Sequence, residues 1–208
     1  RFVTVSASLP RDRSFLAYYD PAPALPAGAR ALATTRARTL YIPGLYAGPL
    51  LEAALLMVRA RRMQVVMDGN SYGSARLSTP RVRRAVSAVD ILMPNADEAC
   101  RLTGEVDLLR ALRRLAEHTP CVVVKDGAGG AYAFEAGKLA YAPALPVTPV
   151  DTTGAGDAFD AGFLAARLEG RPLAECLQWG NIVGGLSTLA AGGTGRTITR
   201  ADIDARLP

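Results

Sequence analysis

Val150-Asp151-Thr152-Thr153-Gly154-Ala155-Gly156-Asp157-Ala158-Phe159 puts a tight glycine turn, a helix start and two carboxylates into ten residues, and the rest of the chain is best read outward from it. Upstream, Tyr141 to Val150 is apolar and interrupted by Pro143, Pro146 and Pro149, whereas downstream Ala158, Gly162, Phe163, Ala166 and Leu168 follow a helical period. The stretch therefore opens a helix. Free N–H groups of a first helical turn, with the helix dipole behind them, suit an anion, and glycines let a phosphate approach the backbone closely. A carboxylate beside a bound anion would repel it, so the use expected for Asp157 is to take a proton from an attacking hydroxyl. The plain alternative, a helix N-terminus with aspartate as an ordinary capping acid, is the better reading of a lone G-x-G-D.

All ten residues together resemble the C-terminal signature of the ribokinase-like (pfkB-type) carbohydrate kinases. That resemblance implies ATP-dependent phosphoryl transfer to a hydroxyl of a sugar or nucleoside-like molecule. It makes Asp157 the catalytic base and the backbone of Gly154, Ala155 and Gly156 the anion hole. Met93-Pro94-Asn95-Ala96-Asp97-Glu98, directly after a strand, is similar to the family's N-x-x-E motif, which implies a site for hydrated Mg²⁺ near Asn95 and Glu98. The same residues also read as an asparagine helix cap with glutamate in a capping box, and both uses can coexist. The resemblance further implies a K⁺ site at Asp151, Thr153 and the vicinity of Thr188 and Gly193, although Asp151 also reads as a turn former.

Lys125 is one of only two lysines among 24 basic residues, and it ends an apolar strand where an unpaired ammonium would be costly. A phosphate partner would resolve that cost; an exposed lysine at a strand edge is the alternative. Gly127 and Gly129-Gly130 just after it permit close approach of a nucleotide, and Asn181 lies on the helix that the resemblance sets beside the adenine. Asp68-Gly69-Asn70 is similar to the family's D-P-N segment, with Gly69 in place of proline.

Composition bounds the alternatives. At 208 residues, 50% hydrophobic and 21% charged, the chain is expected to be one globular domain over residues 1–208. Its formal charge of +5 comes from basic residues spread along the chain, without interleaved aromatics, so a nucleic-acid footprint is not expected while anionic substrates are accommodated. Cys100, Cys121 and Cys176 are far apart and lack metal-ligand spacing, which supports neither a disulfide framework nor a zinc site and leaves a reducing cytoplasm as the expected location. His118, the only histidine, ends a helical stretch, so Ser-His-Asp chemistry is excluded. No apolar run approaches the roughly 18 residues of a membrane span, and no signal peptide is recognisable.

Along the chain, Phe2 to Ser8 and Ser14 to Tyr19 read as a hairpin turned at residues 10–13, followed by a Pro/Ala/Gly-rich loop over 21–30. Strands are expected at 39–42, 64–68, 89–93, 121–125, 131–135 and 138–141, and helices at 50–61, 80–88, 95–102, 107–117, 158–169, 173–191 and 200–207. Alternation of strands and helices predicts an α/β fold, a three-layer sandwich of the ribokinase-like kind around a mostly parallel sheet, with ligands at the carboxyl ends of strands. Against that family the N-terminal strands and most of the lid are absent, and Arg1 opens directly in a strand pattern, so a preceding segment is expected. Residues 1–20 would be lid or edge strands, able to pair with those of a second copy in a homodimer. Two other readings stay open: a non-catalytic nucleotide-binding remnant or regulatory subunit of the same fold, and a basic nucleic-acid-binding protein.

Overall fold

The computed structural model describes residues 2–8, 13–19, 24–70 and 75–207. Strands β1 (Phe2–Ser8) and β2 (Arg13–Tyr19) pair antiparallel as a two-stranded sheet, as the alternation predicts; the turn between them lies outside the described residues. The expected loop over 21–30 is corrected from Ala24 onward, because α1 (Ala24–Thr34) is helical. Its alanines favour helix, and Pro26 falls in the first turn, where a missing N–H costs no intrahelical bond.

A second, six-stranded sheet runs in chain order: β3 (Thr39–Ile42), β4 (Gln64–Asp68), β5 (Ile91–Met93), β6 (Cys121–Lys125), β7 (Ala131–Glu135) and β8 (Lys138–Ala142). The first four are parallel and the last two antiparallel. The parallel strands are joined by α2 (Pro49–Ala60), α3 (Pro80–Val86), α4 (Ala96–Thr103) and α5 (Leu108–Ala116). Ala136 and Gly137, at φ of 50° and 79°, make the tight turn that matches the twist of the β7–β8 hairpin.

Strand periodicity divides the core in two. Val65 and Met67 of β4, Leu92 of β5, and Val122 and Val124 of β6 pack with Leu55, Val58, Val86, Leu112 and Leu115 of the connecting helices. Their alternating neighbours Val66, Ile91, Met93, Cys121 and Val123 face the other way, onto α6 (Ala155–Leu168), α7 (Leu173–Ser187) and α8 (Arg200–Asp204). Both faces of the sheet are therefore covered by helices, which is why its central strands β4 to β6 read as continuous apolar runs. The result is an α/β/α sandwich.

Helices α6 and α7 approach closely because glycines line their seam. A Cβ on Gly162 would lie 2.8 Å from the carbonyl oxygen of Trp179, and one on Gly180 would lie 2.7 Å from the ring of Phe159. Gly162→Ala is expected to lower stability by about 1–3 kcal/mol, since the obstruction is backbone that must shift. Gly28→Ala, on exposed α1 with nothing within 4 Å of the new methyl group, is expected to be neutral or to stabilise by roughly 0.5–1 kcal/mol through helix propensity. Denaturant unfolding of the two variants checks the contrast; equal effects would mean that the seam is looser than the geometry indicates.

Candidate active site

The carboxyl ends of β4, β5 and β6 converge at one end of the sheet, opposite the first turn of α6, around a cleft of about 570 Å³. The helix starts at Ala155, one turn earlier than its apolar period indicates, so Ala155, Gly156 and Asp157 are its first turn. Gly154 precedes it in the left-handed conformation, φ 74°, with a Cβ there only 3.0 Å from the Cα of Gly193. Only glycine serves at that position. Ala155 donates its N–H to the Thr152 carbonyl at 3.2 Å, so of the expected anion-hole groups it is already engaged. Among the described residues the N–H groups of Gly154, Gly156 and Asp157 have no acceptor, as expected for the start of a helix.

The Asp151 carboxylate accepts from the Thr153 N–H (2.9 Å) and hydroxyl (2.7 Å) through one oxygen, and from the Gly192 N–H (2.8 Å) through the other. The Thr188 carbonyl accepts from the N–H groups of Val150 and Asp151. Asp151, Thr153, Thr188 and Gly193 are thereby brought together behind the glycine turn, with only Thr188 of the four lining the cleft itself. Asp151 is a turn former here, in keeping with the alternative reading of that residue.

Asn95 and Glu98 form the reciprocal capping box at the start of α4: the Asn95 side chain accepts from the Glu98 N–H at 2.8 Å, and Glu98 Oε2 accepts from the Asn95 N–H at 2.9 Å. Both also line the cleft. Burial pushes the Glu98 carboxyl above its ordinary range, Asp68 adds to that, and the Asn95 N–H bond opposes it. Gly69 has no room for a side chain, since a Cβ would lie 2.4 Å from Pro94 and 2.9 Å from Glu98 Oε2, so the ends of β4 and β5 touch through it. Among the described residues no group of three or more His, Cys, Asp or Glu could hold a metal ion. The all-oxygen donors Asn95 and Glu98 fit instead a hard cation that keeps water and phosphate in its shell.

Lys125 differs most from expectation. Its ammonium does not wait for a phosphate: it donates to Asp68 Oδ1 at 2.9 Å and to Asp160 Oδ1 and Oδ2 at 3.0 and 3.2 Å. Burial alone would lower it, but the two carboxylates outweigh burial and hold it protonated. Asp160 is 1% exposed and also accepts the Tyr41 hydroxyl at 2.8 Å. Burial pushes its carboxyl up to about 7, against the pull of Lys125 and with a further push from Asp68. Asp160 and Tyr41 were not expected at the site; the available signal was an acid on the apolar face of α6, one turn beyond Asp157. Asp157 itself is solvent-accessible in the cleft, its carboxyl raised by partial burial and by Asp68 and lowered less by Lys125.

Gly127, Gly130 and Asn181 complete the far wall. Gly130 must be glycine for a structural reason: at φ 89° its Cβ would lie 2.3 Å from the Ala142 carbonyl oxygen. Asn181 is buried and donates its amide to the carbonyls of Ala142 and Pro143, at 2.9 and 3.0 Å, so it anchors the end of β8 beside the cleft. Ala144, Leu145 and Val147 add an apolar surface next to it.

Comparison with known proteins agrees with this fold. A cytidine kinase of Thermococcus kodakarensis is 38% identical over 138 residues, which cover 64% of this chain and 49% of that protein. A ribokinase of Bacillus subtilis is 32% identical over 128 residues, covering 62% and 43%. The chain thus spans about half or less of the length of these curated relatives. A solved E. coli structure described as a putative ribokinase II, in complex with ATP and Mg²⁺, superposes with a TM-score of 0.77 at 26% identity, over 93% of this chain and 67% of that one. The model of the pfkB family of carbohydrate kinases matches residues 11–200, nearly the whole length, and the chain belongs to that family.

Proposed function

We propose that this chain carries the nucleotide and phosphoryl-transfer half of a kinase that moves the γ-phosphoryl group of ATP to a hydroxyl of a sugar or nucleoside-like molecule. The observation that carries this reading is Asp157 on the first turn of α6, beside the unengaged N–H groups of Gly154 and Gly156 and in one cleft with Lys125, Asn95 and Glu98. A carboxylate at that place can take the proton of a group that must lose one.

In the proposed reaction the Asp157 carboxylate takes the acceptor's hydroxyl proton as the acceptor oxygen bonds to the γ-phosphorus. The bond from that phosphorus to the bridging oxygen breaks, and ADP leaves with the electron pair. The N–H groups of Gly154 and Gly156 and the helix dipole stabilise charge on the moving phosphoryl group, with Ala155 shaping the turn. Lys125 adds positive charge from the floor. Mg²⁺ would be held near Asn95 and Glu98 and, when bound, supplies neutralisation of phosphate charge. K⁺ would be held by Asp151, Thr153, Thr188 and Gly193, steadying the glycine turn. The nucleoside would lie along Gly127, Gly130, Asn181 and the apolar surface of Leu145. The names of the relatives, a cytidine kinase and a ribokinase, support a sugar or nucleoside alcohol as acceptor.

The first test is thermal unfolding of this chain with and without Mg²⁺-ATP; an upward shift of the midpoint is expected, since a ligand that binds only the folded state stabilises it. A cooperative transition that Mg²⁺-ATP leaves unmoved would refute the nucleotide half of the reading. Asp157→Asn is then expected to keep that shift while lowering the turnover of a sugar and nucleoside panel, in the whole protein that carries this chain, by about 10²–10⁴-fold. Near-normal turnover in that variant would remove Asp157 from the role of base.

The pH dependence follows from the direction of the Asp157 shift. Only the carboxylate form can accept a proton, and burial raises the carboxyl above its ordinary range. Transfer is therefore expected to be full at alkaline pH and to fall as pH drops through a midpoint above that of an ordinary aspartate, measured as kcat/KM against pH. A profile that is flat down to the ordinary carboxylate range would contradict a base raised in this way.

A further inference from the structure

Asp160 is a buried acid that the proposed reaction does not use, and it cannot touch a nucleotide. It does not line the cleft, it is almost wholly enclosed, and both of its oxygens are committed: Lys125 reaches both, and the Tyr41 hydroxyl donates to Oδ2. Whatever it does for chemistry must pass through Lys125. That ammonium lies on the cleft floor, 3.7 Å from where a Cβ of Gly156 would be, which sets it against the turn that carries Asp157. The charged and titratable groups facing it are Asp68 at the end of β4, Asp157 and Asp160 on α6, and Tyr41 on β3, with Glu98 on α4 close to Asp68. A lysine side chain has four flexible bonds, and without a fixed partner its ammonium would swing toward Asp68 alone.

We infer that Asp160, itself oriented by Tyr41, is a positioning residue that fixes the Lys125 ammonium against the first turn of α6, where Lys125 meets the terminal phosphate of a bound nucleoside triphosphate. The inference rests on the proposed kinase reading. The phosphoryl group that moves must lie beside both the base and the helix N-terminus, and Lys125 is the cation at that place. The consequence is selectivity: the ammonium recognises a triphosphate and is indifferent to a diphosphate, which lacks the group it reaches.

The test is calorimetric binding of two probes to this chain in Mg²⁺, the non-hydrolysable β,γ-methylene analogue of ATP and ADP. Lys125→Met is expected to weaken the triphosphate analogue by about tenfold or more, the scale of one charge-assisted hydrogen bond, and ADP by less than about threefold. Asp160→Ala is expected to weaken the analogue selectively in the same way. Asp160→Asn, which retains an oxygen for the ammonium, is expected to restore most of the loss. In the Lys125→Met background, Asp160→Ala is expected to cost nothing further, because its only route is through the missing ammonium.

Equal losses for both probes in Asp160→Ala, or a further multiplicative loss in the double variant, would overturn the inference. Each variant is checked for a cooperative melt. Should Asp160→Ala not fold, Tyr41→Phe, which removes one hydrogen bond and leaves the carboxylate, gives the same reading: a selective loss for the analogue supports the inference and an unchanged ratio overturns it. A folded wild-type chain that binds neither probe would defeat the kinase reading and the inference together, whereas wild-type binding with an unchanged ratio in the Asp160 variants defeats the inference alone.

Discussion

One ammonium group ties the site together. Lys125 ends β6, Asp68 ends β4 and Asp160 lies a turn inside α6, so the salt bridges at 2.9 and 3.0 Å fix the helix against two strands at the end of the sheet where ligands bind in such folds. Burying that much charge is tolerable only because the groups meet one another; an isolated carboxylate or ammonium at these depths would neutralise instead. Tyr41 extends the contact to β3, the edge of the sheet. The placement of Asp157 follows from these contacts, since it rides on the same helix three residues before Asp160. The glycines of the α6–α7 seam act in the same direction, holding α6 down on its other side.

Much of this is legible in the residues. The central strands are short apolar runs, α4 and α5 have side-chain caps while α2 and α3 open on a proline, and the β7–β8 turn is marked by a glycine after an alanine, so local chemistry and tertiary structure agree. The glycine turn and Asp157 are legible because the chemistry of an anion at a helix start uses consecutive residues. Long-range pairing is not legible. The cost of an unpaired Lys125 is visible, but its partners stand 57 and 35 residues away, and Tyr41 reaches Asp160 across 119. No periodicity encodes such meetings. Asp160 sits where a helix face turns apolar and looks like a local exception. Helix α1 escapes a local reading for the opposite reason: its proline and glycine signal a loop, and alanine-rich helix propensity outweighs them.

The same charges explain an apparent conflict in a phosphate site. Asp68, Glu98 and Asp157 line the cleft around one ammonium, with Asp160 buried behind it, so the lining has a carboxylate excess that would repel a bare polyphosphate. The place suited to an anion is the first turn of α6, where N–H groups are unengaged and the Lys125 ammonium lies alongside. On the proposed reading the two walls serve different charges. The helix start, with Lys125 beside it, takes the phosphate oxygens, and the side of Asn95 and Glu98 takes the divalent cation that accompanies them, so the species the cleft complements is the metal–nucleotide complex rather than either ion alone. The Glu98 and Asp157 carboxyls are raised in the free protein chiefly by burial, with a further push from Asp68, a cost that a bound cation would relieve. Partial burial, and then Asp68, raise the proton affinity of Asp157, which suits the role of base proposed for it. It becomes a better proton acceptor in the environment that gathers the metal-bound phosphates.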